Sequence, residues 1–83
     1  MSHFFYLARC RDESLYSGYT HNLSKREKSH NSGKGAKYTA GRRPIKIVYS
    51  ENFTTKSDAL RREAAVKKLS RTEKLKLIRG GGC

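Results

Sequence analysis

Positive charge is the feature that most constrains what this chain can fold into. Its 83 residues include 19 Lys and Arg but only 7 Asp and Glu, which gives a formal net charge of +12. Charges of one sign at this density repel one another and destabilise a compact state. The binding of a negatively charged partner is the usual reason for such a surface. Lys and Arg displace counterions from phosphates, so the expected partner is a nucleic acid. The alternative is a basic surface with no specific partner.

The length of the chain favours one compact domain with a small core. We expect the domain to span residues 1–79, followed by a mobile tail at residues 80–83. No apolar run approaches the roughly 18 residues that span a bilayer. No basic helix has a wide apolar face, and no secretion signal opens the chain, so we expect a cytoplasmic protein, associated with the nucleoid and not with membranes. Cys10 and Cys83 are too few for a zinc site, and Cys10 is expected to pack in a strand.

The apolar pattern predicts an α+β fold, in which helices flank a three-stranded antiparallel sheet in the order ββα-loop-βαα. Gly18, in the second strand, indicates a close backbone approach. In the third strand, Ile45, Ile47 and Tyr49 alternate with polar or smaller residues. The predicted strands are residues 4–10, 15–20 and 44–53. The predicted helices are residues 23–30, capped by Asn22, a second helix that Ser57 caps and that runs to residue 69, and residues 71–78. The last helix is expected to open with a Ser70–Glu73 capping box and to end at Gly80.

One carboxylate is predicted on an apolar helix face. Ala59, Leu60, Ala64 and Val66 form a stripe at helical spacing, and Glu63 falls near its middle. A carboxylate that faces the protein must be paired, protonated or bound to a metal. The plainer explanation is an ion pair with Lys67, one turn along the same helix.

Other polar side chains are expected to converge on the sheet. Arg26 and His30 share the face of Leu23 on the first helix, unless both are simply solvated. Tyr6 and Tyr16 lie on the two strands of the hairpin and can share one face, although strand tyrosines are usually core residues.

Residues 31–43 are rich in Gly, Lys and Arg and predict a long loop. The order of residues is not that of a nucleotide-binding P-loop. A mobile basic loop can still close over a phosphate backbone, or it can be a solvated charged loop. The candidate nucleic-acid-binding residues are Lys34, Lys37, Tyr38, Arg42 and Arg43, with Tyr38 able to stack on a base.

Taken together, five blocks of sequence resemble the GIY-YIG nuclease superfamily, especially its small stand-alone members. They run in family order from Phe4 to about Ile78, with Ser17 standing where the second motif has Ile. The blocks are Phe4-Phe5-Tyr6, Tyr16-Ser17-Gly18, Asn22-Leu23-Ser24-Lys25-Arg26, the segment from His30 to Thr39, and Ala59-Leu60-Arg61-Arg62-Glu63 with the Lys67–Arg71 segment after it.

The resemblance implies a metal-dependent endonuclease that cuts phosphodiester bonds. Tyr6 and Tyr16 match the two tyrosines that hold the attacking water, one of which deprotonates it. Arg26 matches the arginine that steadies the scissile phosphate, and Glu63 matches the glutamate that binds one Mg²⁺ or Mn²⁺ ion. His30 matches a position that assists proton transfer or holds the phosphate. We expect Arg26 and the metal to lower the pKa of the catalytic phenol.

Three functions stay open on the sequence. The first is the endonuclease, acting on branched, nicked or single-stranded DNA more readily than on RNA. It is expected to be a monomer that relies on a protein partner for targeting. The second is a nucleic-acid-binding module that has kept the scaffold without useful turnover. The third is a small basic ribosome-associated protein.

Overall fold

The computed structural model describes residues 2–34, 37 and 41–81. Within these residues the chain forms a three-stranded antiparallel sheet with three helices packed on it, so the predicted α+β class is confirmed. None of the helices in the described ranges is long and apolar enough to cross a membrane. The elements are β1 His3–Arg9, β2 Leu15–Thr20, α1 Leu23–Asn31, β3 Lys46–Phe53, α2 Lys56–Lys67 and α3 Arg71–Gly81.

Strand β1 lies at the centre of the sheet, in the order β2-β1-β3. A strand that is covered on both faces reads as a continuous apolar run, and four successive residues from Phe5 to Ala8 are fully buried. On one face, Tyr6 and Ala8 pack with Cys10, which confirms the expected burial of that thiol. On the other face, Phe5 and Leu7 pack with Val66 of α2 and with partly buried side chains of α3, Leu77 and Ile78.

A β-bulge in β3 redirects the predicted alternation. Leu7 pairs with Tyr49, but the next residue, Ala8, pairs with Ile47, so Val48 is the extra residue. Ile47 therefore packs with Tyr6, whereas Tyr49 packs with Phe5 on the opposite face. The expectation that Ile45, Ile47 and Tyr49 follow one simple alternation was wrong for this reason.

Two of the predicted helix starts are confirmed. The Asn22 side chain accepts a hydrogen bond from the Lys25 amide at 3.0 Å, which caps α1. At α3, the Ser70 amide donates to Glu73 Oε1 at 3.1 Å, and the Glu73 amide donates to Ser70 Oγ at 3.2 Å. This reciprocal pair is the predicted capping box.

Other element ends differ from the prediction. The cap of α2 is Thr55 rather than Ser57, because the Thr55 hydroxyl accepts from the Asp58 amide at 3.1 Å and the helix already includes Lys56. Helix α3 continues through Gly80, which lacks the positive φ of a glycine that ends a helix. The rest of the predicted tail, residues 82–83, lies outside the described residues. Strand β3 begins at Lys46 and not at Pro44.

The apolar stripe of α2 is rotated from its predicted position. Ala59 and Val66 are fully buried, as expected, but Ala64 is exposed and Leu60 is 40% exposed. The inward face follows the i, i+3, i+4, i+7 spacing through Arg62 and Glu63, both half-buried. Polar side chains therefore occupy the middle of the helix face that meets the sheet.

Helix α1 is attached to the outer edge of the sheet by two side chains one turn apart. Asn31 Nδ2 donates to the Ile45 carbonyl at 2.9 Å, and the Ile45 amide donates back to Asn31 Oδ1 at 2.6 Å. The Ile47 amide donates to Glu27 Oε2 at 2.8 Å. These bonds satisfy backbone groups that a fourth strand would otherwise pair, and they fix how α1 is rotated over the sheet.

Candidate active site

The site begins at the contact between Tyr6 and Gly18, which are partners in the β1–β2 ladder. The Tyr6 ring lies across the position that a Cβ at Gly18 would occupy, with Tyr6 Cε2 only 2.8 Å from it. Real Cβ atoms essentially never make so close a contact. The predicted close approach at Gly18 is therefore confirmed, and the absence of a side chain there lets the phenol lie flat over β2.

The Tyr6 hydroxyl is the centre of a buried hydrogen-bond network with α1. Tyr6 Oη and His30 Nε2 lie 2.8 Å apart, and both residues are fully buried. Arg26 Nε donates to Tyr6 Oη at 3.3 Å. Arg26 and His30 are one turn apart on α1, so the helix face carrying Leu23 meets the sheet as predicted.

Burial sets the protonation states of this network. It raises the pKa of Tyr6 above its usual value, against the opposing effect of the Arg26 hydrogen bond and charge. It lowers the pKa of His30, and the positive charge of Arg26 lowers it further. A neutral His30 therefore accepts from a protonated Tyr6. Arg26 does lower the pKa of Tyr6, as expected, but desolvation outweighs the guanidinium, so the net shift of the Tyr6 pKa is upward.

Burial alone would lower the pKa of Arg26, but its hydrogen bonds with Tyr6 and Tyr16 raise it instead. The guanidinium is therefore held charged between the two phenols.

Tyr16 completes the group and differs from Tyr6 in being only partly buried. The centroid of its ring lies 5.4 Å from that of His30 and 6.4 Å from that of Tyr6. The two tyrosines share one face of the sheet, as the sequence predicted. Of the two phenols, Tyr16 is the one that solvent reaches.

Glu63 approaches this group from α2, which packs against β1 and β2. Its side chain is only 16% exposed, and Lys67 Nζ lies 3.1 Å from its Oε2 atom, so the ion pair that the helical spacing allowed is present. The negative charge of Glu63 is also one of the smaller causes of the raised pKa of Tyr6. The helix that carries Glu63 thus contacts both strands that carry the two tyrosines.

The residue that precedes Glu63 on α2 helps to fix that position. Arg62 Nε and Nη2 donate to the two carboxylate oxygens of Glu51 at 2.9 and 3.1 Å, and the Tyr49 hydroxyl donates to the same carboxylate. A two-pronged pair of this kind fixes orientation as well as distance. It ties α2 to β3 beside Glu63.

The donor set at Glu63 fits a hard divalent cation. In the described residues, no three side chains of the types His, Cys, Asp and Glu lie close enough together to hold a metal ion. One carboxylate, completed by waters and a phosphate oxygen, is a usual way to hold Mg²⁺. The half-buried Glu63 carboxylate is paired with the Lys67 ammonium, which a metal ion would have to displace.

Four of the five predicted nucleic-acid-binding residues fall within the described residues. Lys34 and Lys37 are exposed, and Tyr38 falls outside the described residues. Arg42 Nε forms an ion pair with Asp12 at 3.1 Å, and Arg43 Nη1 donates to the Asn31 carbonyl at 3.4 Å.

Sequence reasoning missed the side chains that hold the two helices in place: Glu27, Asn31, Glu51 and Arg62. Glu27 and Asn31 carried one usable signal, since each directly follows a candidate site residue and the two are one turn apart. Their partners are backbone groups of Ile45, just before β3, and of Ile47 in β3, which residue types do not reveal.

Comparison with known proteins agrees with this arrangement. Residues 2–76 match the family model described as the GIY-YIG catalytic domain. A UPF0213 protein of Staphylococcus haemolyticus is 54% identical over 76 residues, which are 92% of this chain and 93% of the relative. One from Bacillus licheniformis is 56% identical over 77 residues, covering 93% of this chain and 79% of the relative.

A solved structure shares the fold as well. The solution structure of a UPF0213 protein from Bacillus halodurans is 46% identical and superposes with a TM-score of 0.64, covering 99% of this chain and 87% of that one. GIY-YIG catalytic domains are nuclease domains that generally use a divalent metal, so the match indicates an endonuclease acting on nucleic acid. By sequence over nearly its whole length and by fold, the chain belongs to the GIY-YIG family, among the small single-domain UPF0213 proteins.

Proposed function

We propose that this protein is a metal-dependent endonuclease that hydrolyses phosphodiester bonds, with DNA as its substrate. The observation that carries the proposal is the convergence of four side chains from three elements. Tyr6 of β1, Tyr16 of β2, and Arg26 and His30 of α1 lie in mutual contact, and Glu63 lies on α2, which packs on the same two strands.

Arg26 would contact the scissile phosphate. Its guanidinium lies beside both tyrosines and has a raised pKa, so it carries its charge at any pH at which the protein is folded. Its planar fork of donors suits two phosphate oxygens better than an ammonium group would. Charge that builds up on those oxygens as the attacking oxygen approaches would be stabilised there.

Tyr16 would be the phenol that holds the attacking water and accepts its proton. Tyr16 is partly exposed, whereas the fully buried Tyr6 has no access to solvent in this conformation. Tyr6 is a positioning residue, which holds Arg26 through its hydroxyl oxygen and His30 through its proton. His30 in turn packs edge-on against the Tyr16 ring and orients it.

Glu63 would hold the divalent ion, Mg²⁺ or Mn²⁺. When bound, such an ion relieves charge on the phosphoryl oxygens and on the leaving oxygen. Lys67, 3.1 Å from the carboxylate and 57% exposed at its side chain, is free to swing towards solvent when the ion is present.

The net charge of +12 supports a polyanionic substrate, and branched, nicked or single-stranded DNA is proposed ahead of RNA. A protein partner would supply targeting to a monomer of this size. Association with the nucleoid follows if DNA is the substrate.

A substrate panel tests the proposal. Branched, flapped, nicked and single-stranded DNAs, with RNA counterparts, would be incubated with the protein in a series of divalent metals. Glu63→Gln is expected to abolish cleavage while leaving circular dichroism and thermal unfolding unchanged. Glu73→Gln is the matched control, since Gln also serves in the α3 capping box. Equal cleavage by wild type and Glu63→Gln contradicts the proposal.

A second function, a nucleic-acid-binding module with no useful turnover, has one observation in its favour. The carboxylate of Glu63 already has a cationic partner in Lys67, so a metal is not needed to satisfy it. This alternative expects salt-sensitive binding with no product under any metal. Product that depends on Glu63 excludes it.

A further inference from the structure

An open cavity lies at the end of the sheet where β1 stops. It has a volume of about 450 Å³ and is lined by Arg11, Asn31, Gly41, Arg43 and Pro44. The Arg11 amide donates to the Arg42 carbonyl at 2.9 Å, which ties the β1–β2 turn to the segment that precedes β3. Two guanidiniums from distant parts of the sequence are thereby brought to one concave surface.

This cavity carries an arginine charge, that of Arg11, which no described side chain balances. Its described lining includes two arginines and no carboxylate. Within the described ranges, no side chain forms an ion pair or hydrogen bond with the Arg11 guanidinium, whereas nearby Arg42 is paired with Asp12 at 3.1 Å. An exposed positive charge that no described side chain balances favours the binding of an external anion.

The cavity and the candidate active site are neighbours in the fold. Cys10 directly precedes Arg11, Ile45 directly follows Pro44, and both pack in the cluster that contains Tyr6. Asn31, in the cavity wall, directly follows His30. Arg11 lies five residues beyond Tyr6 and two beyond the end of β1, so at a strand rise of about 3.3 Å per residue the Cα atoms of the two residues are at most about 17 Å apart.

We propose that this cavity binds a backbone phosphate of the nucleic-acid strand that enters the active site. A separation of at most about 17 Å corresponds to no more than roughly five nucleotides along one strand of B-form DNA, at about 3.4 Å each. This inference rests on the proposed function for its choice of ligand. The cavity would add a second phosphate contact, which would raise the affinity of a small domain and fix the position of the strand in a way that Arg26 alone cannot.

The chemistry of the lining favours phosphate over a base. The guanidinium group of an arginine can donate two parallel hydrogen bonds to two oxygens of one phosphate. The described lining contains no aromatic side chain on which a base would stack. The cavity is therefore expected to add affinity without sequence preference.

The test is a binding measurement without cleavage. A single strand of about 12 nucleotides, long enough to reach both contacts at about 3.4 Å each, and the matching duplex would be titrated in EDTA at several salt concentrations, with anisotropy as the readout. Arg11→Ala is expected to reduce the slope of log K against log salt by about one phosphate contact, and Arg11→Lys to restore most of it. The control, Arg79→Ala, removes the same charge from α3 on the opposite face and should leave the slope near that of the wild type.

A second readout needs no variant. The side-chain Nε–H signals of Arg11 and Arg43 in the wild-type protein should shift on addition of the same strand. Equal slopes for the two alanine variants, with no shift at Arg11, overturn the inference. Cleavage that still depends on Glu63 would then leave the proposed function standing, so the two failures are distinguishable.

Discussion

Tyr6 and His30, 24 residues apart in sequence, form a hydrogen bond of 2.8 Å between Oη and Nε2, with both side chains fully buried. The bond joins the central strand to α1, the helix that carries Arg26. The lowered pKa of His30 keeps this imidazole neutral, so its Nε2 atom can accept a hydrogen bond from the Tyr6 phenol. The stability of the site is therefore linked to pH.

The first prediction concerns that linkage. The pKa of His30 is lowered from its ordinary value of 6.5, so the unfolded chain takes up a proton at a pH where the folded protein does not. Stability is fully present above about pH 6.5 and falls as the pH drops towards the folded pKa, by at most about 1.4 kcal/mol per pH unit for one proton. Urea unfolding between about pH 7.5 and 5 should show the slope, and His30→Gln should reduce it. An unchanged slope in the variant would mean that His30 is not the group responsible.

Gly18→Ala is the second prediction. The added methyl group overlaps the Tyr6 ring, so either β2 or the phenol must move. We expect a loss of roughly 1–3 kcal/mol in the free energy of unfolding. Cleavage should fall as well, because Tyr6 positions Arg26. Gly80→Ala is the control: nothing lies within 4 Å of the position that a Cβ would take there, and a helical alanine should stabilise by up to about 1 kcal/mol. Equal free energies of unfolding for the two variants would show that the contact between Tyr6 and Gly18 does not affect stability.

The third prediction tests how α1 is held. Asn31→Ala removes both hydrogen bonds to the Ile45 backbone, at 2.6 and 2.9 Å, and leaves those groups without partners. The expected cost is about 1–3 kcal/mol. Asn52→Ala replaces an exposed asparagine on β3 and should cost much less. Chemical denaturation measures both, and similar values would show that α1 does not depend on this pair.

Lys67 gives the fourth prediction. Its ammonium lies 3.1 Å from the Glu63 carboxylate and competes with a metal for it. Lys67→Ala should therefore lower the Mg²⁺ concentration that gives half-maximal cleavage several-fold, since an exposed ion pair is worth up to about 1 kcal/mol. Lys68→Ala, an exposed neighbour, should leave that concentration unchanged. A higher metal requirement in Lys67→Ala would indicate that Lys67 assists the site.

Local sequence rules predicted which segments form strands and helices better than they predicted which side chains of those segments face the core. The strand hairpin, the Asn22 cap and the Ser70–Glu73 box depend on residues close in sequence, and the close approach at Gly18 was indicated by the glycine itself. The bulge at Val48 depends on the pairing of β3 with β1, so it could not be seen in β3 alone.

The candidate site shows the same division. Residue types and spacing put Tyr6, Tyr16, Arg26 and His30 on inward faces, and the resemblance supplied the expectation that they meet. Which tyrosine is buried could not be predicted, because it depends on α1 covering Tyr6 and leaving Tyr16 partly open. The sign of the pKa shift at Tyr6 followed from that burial.

The central proposal is that these side chains form a phosphodiesterase site with Tyr16 facing the water. The most direct measurement is single-turnover cleavage by Tyr16→Phe, with DNA binding measured alongside. We expect a rate loss of at least about a hundredfold with affinity unchanged, because only the proton acceptor is removed. Tyr19→Phe, on the same strand, should cut at nearly the wild-type rate. Cleavage by Tyr16→Phe at the wild-type rate would contradict the proposal.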